Sequence, residues 1–301
     1  MLEKGGLGLA MAVERRVRID IFPSEELSIE GVWPGGALSW TSRHPSASPL
    51  IAAVVDEVEK WLRNKRGGKG LRSARILVDS SALFSSDGRK SGLGSSAAVT
   101  AGLVCALLDA AGCRPDPLDP SVLALAIEAH RRAQGGAGSG YDVSCSFRGG
   151  MGVFHGGPLP VWEPCRLWED PVVCLFPGPS PVSTSEAIRC YALWKKSHRG
   201  DAQLFLEESN RSVLEFVHAR TTAEAQRHLR ACRELGLRVG RAMGVSAEIA
   251  TPRGLDAAWC KALGAGNELG ACLLPAGSAA LAEGKEIQRV HASQKGVLWE
   301  E

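Results

Sequence analysis

The chain has 301 residues, 45% of them hydrophobic and 23% charged, and a formal net charge of +2 at pH 7. That composition excludes global disorder and leaves room for one large domain or two ordinary ones. A near-neutral charge without a basic stripe among aromatics gives no case for nucleic acid, and no apolar run is long enough to cross a bilayer.

The nine cysteines are scattered singly, with no C-x-x-C and no Cys/His spacing suited to zinc. They read as inert thiols of a reducing compartment. No charged and apolar leader pattern opens the chain, so a cytoplasmic protein is expected. The basic run Lys65-Arg66-Gly67-Gly68-Lys69-Gly70 reads as an exposed turn.

In chain order, Arg15 to Phe22 alternates and predicts a strand, with Leu27 to Trp33 as a partner. Pro49 to Arg63 carries Leu50, Ile51, Val54, Val55, Val58, Trp61 and Leu62 at helical spacing. Ala74 to Asp79 predicts a strand, and Ser96 to Ala111 and Pro120 to Gln134 predict helices. A glycine loop, Gly135 to Gly140, then precedes a strand over Gly150 to Phe154. Composition shifts at Gly156-Gly157-Pro158-Leu159-Pro160, which divides the chain into domains at 1–160 and 161–301. Beyond it, Val172 to Phe176 reads as a strand. Ser183 to Lys195 reads as a helix whose Ser183 and Glu186 form a capping-box pattern. Helices over Asp201 to Ala219 and Thr222 to Met243 follow, and Lys261 to Leu274 returns to glycine and small residues. Strands and helices without regular βαβ alternation predict an α+β fold.

The chemistry-bearing stretch is Lys90-Ser91-Gly92-Leu93-Gly94-Ser95-Ser96-Ala97-Ala98, a glycine loop running into an apolar helix. Such a loop builds an anion site. Glycines allow a tight turn, and the first helix amides, unpaired within the helix, point into it. It is not a Walker A loop, since no G-K-[ST] follows. It satisfies G-x-G-x-x-A, but the long polar segment Ser80 to Arg89 and the absence of a strand after Gly112 set the dinucleotide reading aside.

This string resembles the ATP-binding motif of the GHMP small-molecule kinases. Ala129-His130-Arg131-Arg132-Ala133-Gln134-Gly135-Gly136-Ala137-Gly138-Ser139-Gly140-Tyr141-Asp142-Val143 is similar to the A-H-x-x-A-Q-G-x-x-G-S-G-[FY]-D-V string of the phosphomevalonate kinase family. Gly178-Pro179-Ser180-Pro181-Val182-Ser183-Thr184-Ser185 and Trp194-Lys195 are similar to that family's G-x-S-x-S-T and W-K. The resemblance implies the GHMP kinase architecture, a ribosomal-S5-domain-2-like N-terminal domain followed by a ferredoxin-like C-terminal one. It implies ATP and Mg²⁺ as cofactors, phosphomevalonate as the small-molecule partner, and its conversion to diphosphomevalonate in isoprenoid synthesis. Mevalonate kinase, and a GHMP-fold nucleotide binder without catalysis, are the alternatives. A Rossmann-type oxidoreductase stands a distant third.

By the same resemblance Gly92, Leu93, Gly94, Ser95, Ser96 and Ala97 cradle the ATP phosphates, with Ser95 or Ser96 on Mg²⁺. Lys90 neutralises a phosphate, or else is a solvated loop lysine. Asp142 is the acidic residue of the site. A phosphate monoester acceptor has a second pKa of roughly 6, so Asp142 is expected to orient Mg²⁺ or a lysine more than to take a proton. Ser139, Gly140, His130, Gln134, Ser183, Thr184 and Lys195 are the substrate-binding candidates. His130 can equally be a buried, satisfied histidine, and Ser183 and Thr184 plain helix caps. Arg131, Arg132, Arg148 and Lys196 are further cations for an anionic acceptor. Two departures stand out. Met1 to Gly6 looks like the end of the family's A-P-G-K-x-x-L-x-G-E-Y segment, so its first strand and lysine are expected to be missing. The third motif, usually G-A-G-G-G-D, reads Gly264-Ala265-Gly266-Asn267-Glu268.

Overall fold

The computed structural model describes residues 5–44, 48–65, 70–85, 88, 90–136, 138–157, 160–168, 171–179, 184–264, 266–276 and 287–300. In chain order the elements are β1 (Leu7–Met11), β2 (Arg18–Phe22), β3 (Ser28–Trp33), β4 (Gly36–Thr41), α1 (Pro49–Lys65), β5 (Arg75–Asp79), α2 (Ser95–Ala110), α3 (Pro120–Ala133), α4 (Tyr141–Arg148), β6 (Met151–His155), β7 (Val161–Pro164), β8 (Val172–Pro177), α5 (Thr184–Ser197), α6 (Arg199–Val217), α7 (Thr222–Met243), β9 (Cys260–Ala262), β10 (Leu269–Leu274) and β11 (Gln288–Val290). They group into two compact units, Met11–Gly150 with Ser293–Glu301, and Met1–Ala10 with Met151–Ala292.

The unit holding Met11–Gly150 is a four-stranded sheet, order β2-β5-β3-β4, packed against helices. β3 runs parallel to β5, while β2 with β5 and β3 with β4 are antiparallel. The helix α2 is apolar nearly all round, the pattern of a helix buried on every side. Leu103, Val104, Leu107 and Leu108 are each at most 1% exposed. Gly102 lets it sit close to the sheet, since a Cβ there would lie 2.7 Å from Ile19 Cδ1. The amphipathic α1 buries Ile51, Val54, Val55, Val58 and Leu62 in the same core. α3 starts where Asp119 accepts from the Ser121 amide at 2.8 Å and Pro120 fills the first turn. The chain's last segment is pinned to this unit by Arg16, which donates to Ser293 Oγ at 2.7 Å and to the carbonyls of Lys295 and Gly296.

The other unit has an antiparallel sheet in the order β11-β8-β10-β9 and a second in the order β1-β6-β7. Leu7–Met11, left unassigned by the sequence, is therefore a strand, with the flanking Gly5 amide on the Gly156 carbonyl at 2.8 Å. The small residues of β10 suit their place. A Cβ on Gly270 would lie 2.3 Å from the Phe176 ring on β8. α7 opens on the capping residue Thr221, which accepts from the Glu224 amide, and closes on left-handed Gly244. No helix among the described residues is long and apolar enough to cross a membrane.

Candidate active site

The site is built where two helix N-termini of the Met11–Gly150 unit meet. Gly94 caps α2 with φ 71° and ψ 37°, a left-handed conformation that costs glycine nothing. The loop before it is tied down at its base. The Ser91 amide donates to the Leu83 carbonyl at 3.1 Å, and Lys90 bridges Phe84. Lys90 itself is exposed. The first i to i−4 bond of the helix is Ala98 N to Gly94 O, at 3.1 Å. The amides of Ser95, Ser96 and Ala97 are therefore left over at the positive end of the helix dipole.

The second loop is held by its own arginine. Arg131 Nε donates to the Gly138 carbonyl at 2.8 Å, and its terminal nitrogen to the Ser139 carbonyl at 3.1 Å. The loop ends at Gly140, which caps α4 with φ 84°. A Cβ there would sit 2.7 Å from Ile127 Cγ2, so only glycine lets α4 start against α3. The Gly135 to Gly140 loop thus leads into a helix. Asp142 lies in its first turn, where a carboxylate gains from the dipole. Its Oδ1 accepts from the Val143 amide at 2.9 Å, and the side chain remains 28% exposed. The two loops come together here, since a Cβ on Gly94 would lie 3.9 Å from Asp142 Cβ.

His130 lies between them. Its Nε2 is 3.1 Å from Ser96 Oγ and its Nδ1 is 4.0 Å from Asp142 Oδ1. Gln134 Nε2 stands 3.5 Å from the same His130 Nε2. The ring is buried, at 3% exposure. Beside Asp142, burial and then the carboxylate's charge push the Tyr141 phenol and the Cys145 thiol each up to about 12. Neither is poised to exchange a proton near neutrality.

The arginines proposed from sequence have partners of their own in this unit. Arg131 is spent on its own loop. Arg132 pairs with Asp56 at 2.8 Å and with the largely buried Glu57 at 2.7 Å. Arg148 donates to the Leu118 carbonyl at 2.9 Å. These pairs give Arg132 a structural part, tying α3 to α1. Arg132→Ala is expected to lower Tm by about 3 °C while KM for the acceptor stays within about twofold, as thermal melts and steady-state kinetics would read.

In the other unit, Thr184 opens α5 and the exposed Lys195 and Lys196 close it, about 16 Å apart along the axis. Ser183 lies outside the described residues, as does Ala265 of the third motif. The rest of that motif meets the segment at Gly178. The Gly178 amide donates to the Glu268 carbonyl at 2.8 Å, and a Cβ on Gly178 would overlap the Asn267 carbonyl. Two sequence matches some 90 residues apart are thereby joined. Asn267 fills the place of a glycine by going inward. It is 4% exposed, with Nδ2 3.2 Å from Ser246 Oγ and, among the described residues, no partner on Oδ1. The spacing of the motifs carried no signal for Thr100, whose hydroxyl bonds the Ser96 carbonyl at 2.8 Å and steadies the first turn of α2.

Residues 50–150, which contain both loops, match the family model described as "GHMP kinases N terminal domain". The chain as a whole has the GHMP kinase fold. It is similar to a Listeria innocua Lin0012 protein at TM-score 0.80 and 19% identity, over 97% of this chain and 92% of that one. It is similar to Streptococcus pneumoniae phosphomevalonate kinase, solved with phosphomevalonate and AMPPNP, at TM-score 0.76 and 18% identity over 96% and 94% of the two chains. Methanococcus jannaschii mevalonate kinase follows the fold at TM-score 0.67 and 16% identity over 96% and 92%. No curated protein sequence matches the chain.

Proposed function

We propose that the protein is an ATP-dependent kinase that transfers a phosphoryl group to 5-phosphomevalonate, giving 5-diphosphomevalonate. The observation that carries the reading is the Asp142 carboxylate beside the left-handed Gly94 cap, at the N-terminus of α2. Phosphoryl transfer asks a protein for positioning and charge neutralisation more than for covalent chemistry. The spare amides of Ser95, Ser96 and Ala97 suit phosphate oxygens, and exposed Lys90 at the loop's base can swing a positive charge to them.

The donor set fits Mg²⁺ better than a metal held by the protein alone. Among the described residues no three His, Cys, Asp or Glu side chains cluster as a metal cage. Mg²⁺ is commonly held by one or two carboxylates, substrate phosphates and water, and Asp142 with a Ser95 or Ser96 hydroxyl offers hard oxygen ligands of that kind. When bound, the ion would neutralise phosphate charge. Asp142 orients rather than abstracts, because the phosphate acceptor is largely dianionic at neutral pH.

The A-H-R-R-A-Q-G-G-A-G-S-G-Y-D-V string and the likeness to a phosphomevalonate kinase solved with its substrate support the acceptor. The engagement of Arg131, Arg132 and Arg148 elsewhere favours a second reading. An acceptor with one anionic group, as in mevalonate kinase, needs fewer cations. ADP release by the purified chain with Mg-ATP, comparing phosphomevalonate with mevalonate, separates the two. Release with phosphomevalonate alone is the expected result. Release with mevalonate alone transfers the proposal to the second reading. Nucleotide binding without release in either case overturns both in favour of a catalytically silent binder.

A further inference from the structure

His130 is a buried ionisable side chain beside both loops, and nothing in the proposed reaction uses it. Its ring has two faces with opposite demands. At Nε2 stand the Ser96 hydroxyl, 3.1 Å away, and the Gln134 amide nitrogen, 3.5 Å away. An amide nitrogen only donates, so Nε2 serves both neighbours only as a bare acceptor. At Nδ1 the neighbour is the Asp142 carboxylate, Oδ1 4.0 Å away, which favours a proton on that nitrogen. Both ends of the ring favour the same arrangement, hydrogen on Nδ1 and a bare Nε2.

That choice propagates to Ser96. A hydroxyl has one proton and two acceptor lone pairs. When its proton is committed to His130, the oxygen offers only lone pairs to the loop. Such an oxygen suits a cation and repels a phosphate oxygen. The backbone holds the arrangement still, because Thr100 bonds the Ser96 carbonyl and the Ser146 hydroxyl bonds the Asp142 carbonyl at 2.9 Å.

We infer that His130 is a positioning residue which, as the Nδ1–H tautomer, accepts a hydrogen bond from the Ser96 hydroxyl at Nε2, so that the Ser96 oxygen turns its lone pairs to a divalent cation and stays in register with Asp142. His130 is therefore not an acceptor-binding side chain, which agrees with its burial. The inference rests on the kinase reading for its consequence, but its physical content concerns the free protein alone.

Two measurements test it. Long-range proton–nitrogen correlation spectra of ¹⁵N-histidine-labelled protein without ligand read the tautomer directly. The expected pattern is a bare Nε2 and a protonated Nδ1 for His130, assigned by its loss in His130→Gln, and altered in Ser96→Ala. A protonated Nε2 overturns the inference whatever the enzyme's activity. The kinetic arm compares His130→Gln, whose side-chain oxygen can still accept from Ser96, with His130→Leu, which cannot. Thermal melts and circular dichroism establish that both are folded. His130→Gln is expected to keep at least about tenfold more kcat than His130→Leu, and to need less Mg²⁺ for half-maximal rate, with KM for the acceptor equal in the two. Equal kcat in the two variants, or a change confined to acceptor KM, overturns the positioning role. Absence of turnover in the wild type would instead overturn the proposed function, and the tautomer would still decide the inference.

Discussion

Asp142→Asn is expected to lower kcat by about 10²- to 10³-fold, with KM for the acceptor changed far less. The substitution keeps shape and keeps an oxygen for the Val143 amide, now 2.9 Å from Oδ1. What it removes is the negative charge at the point where the N-termini of α2 and α4 converge. Both helices direct positive dipole ends there, and the proposed reactants bring several phosphate oxygens with a cation among them. The loss belongs to transition-state stabilisation if Asp142 orients the ion and falls on kcat. If Asp142 merely capped α4, the amide would serve nearly as well and kcat would hold. Steady-state kinetics at saturating Mg-ATP distinguish the cases, and near-normal turnover would end the electrostatic role. A melt adds a second reading, since loss of a favourable dipole contact costs roughly 0.3–1 kcal/mol and leaves the protein folded.

The glycine loops were legible because their geometry leaves few alternatives. Gly94 and Gly140 take positive φ directly before helices, and sequence placed glycine where such a turn is needed. The apolar run of α2 announced a buried helix for the same reason of plain composition. α4 was not legible. Tyr-Asp-Val-Ser-Cys-Ser-Phe-Arg lacks strong helix formers, and its buried face of Val143, Ser144 and Phe147 makes sense only once α2 and α3 lie against it. β10 was hidden because Gly270, Ala271 and Cys272 are chosen for close packing on Phe176 and not for strand propensity. The fate of Arg132 was the least readable. Its partners are 75 and 76 residues away on α1, and no local pattern reports a long-range ion pair. The junction of Gly178 with Asn267 and Glu268 is of the same kind, since each match was weak alone and contact is what relates them.

Gly140→Ala is expected to damage stability and activity together, and the reason separates into two parts. A left-handed φ costs a residue with a Cβ about 1–2 kcal/mol. The new methyl carbon would also stand 2.7 Å from Ile127 Cγ2 and 3.0 Å from Cγ1, and such overpacking typically adds about 1–3 kcal/mol. The sum corresponds to a fall in Tm of roughly 5–15 °C for a chain of this size. Relief by shifting the start of α4 displaces Asp142, two residues on, away from Gly94 and His130. A misplacement of about 1 Å can cost about 100-fold in rate, so the folded fraction is expected to be far less active than its stability suggests. Ile127→Ala combined with Gly140→Ala removes the steric part and leaves the backbone part. The double variant should therefore be more stable than the sum of the single effects predicts, by about 1 kcal/mol or more, and should regain part of kcat. Strict additivity in the melts, with no kinetic recovery, would show that Ile127 does not press on the cap and that the left-handed turn alone sets the position of Asp142.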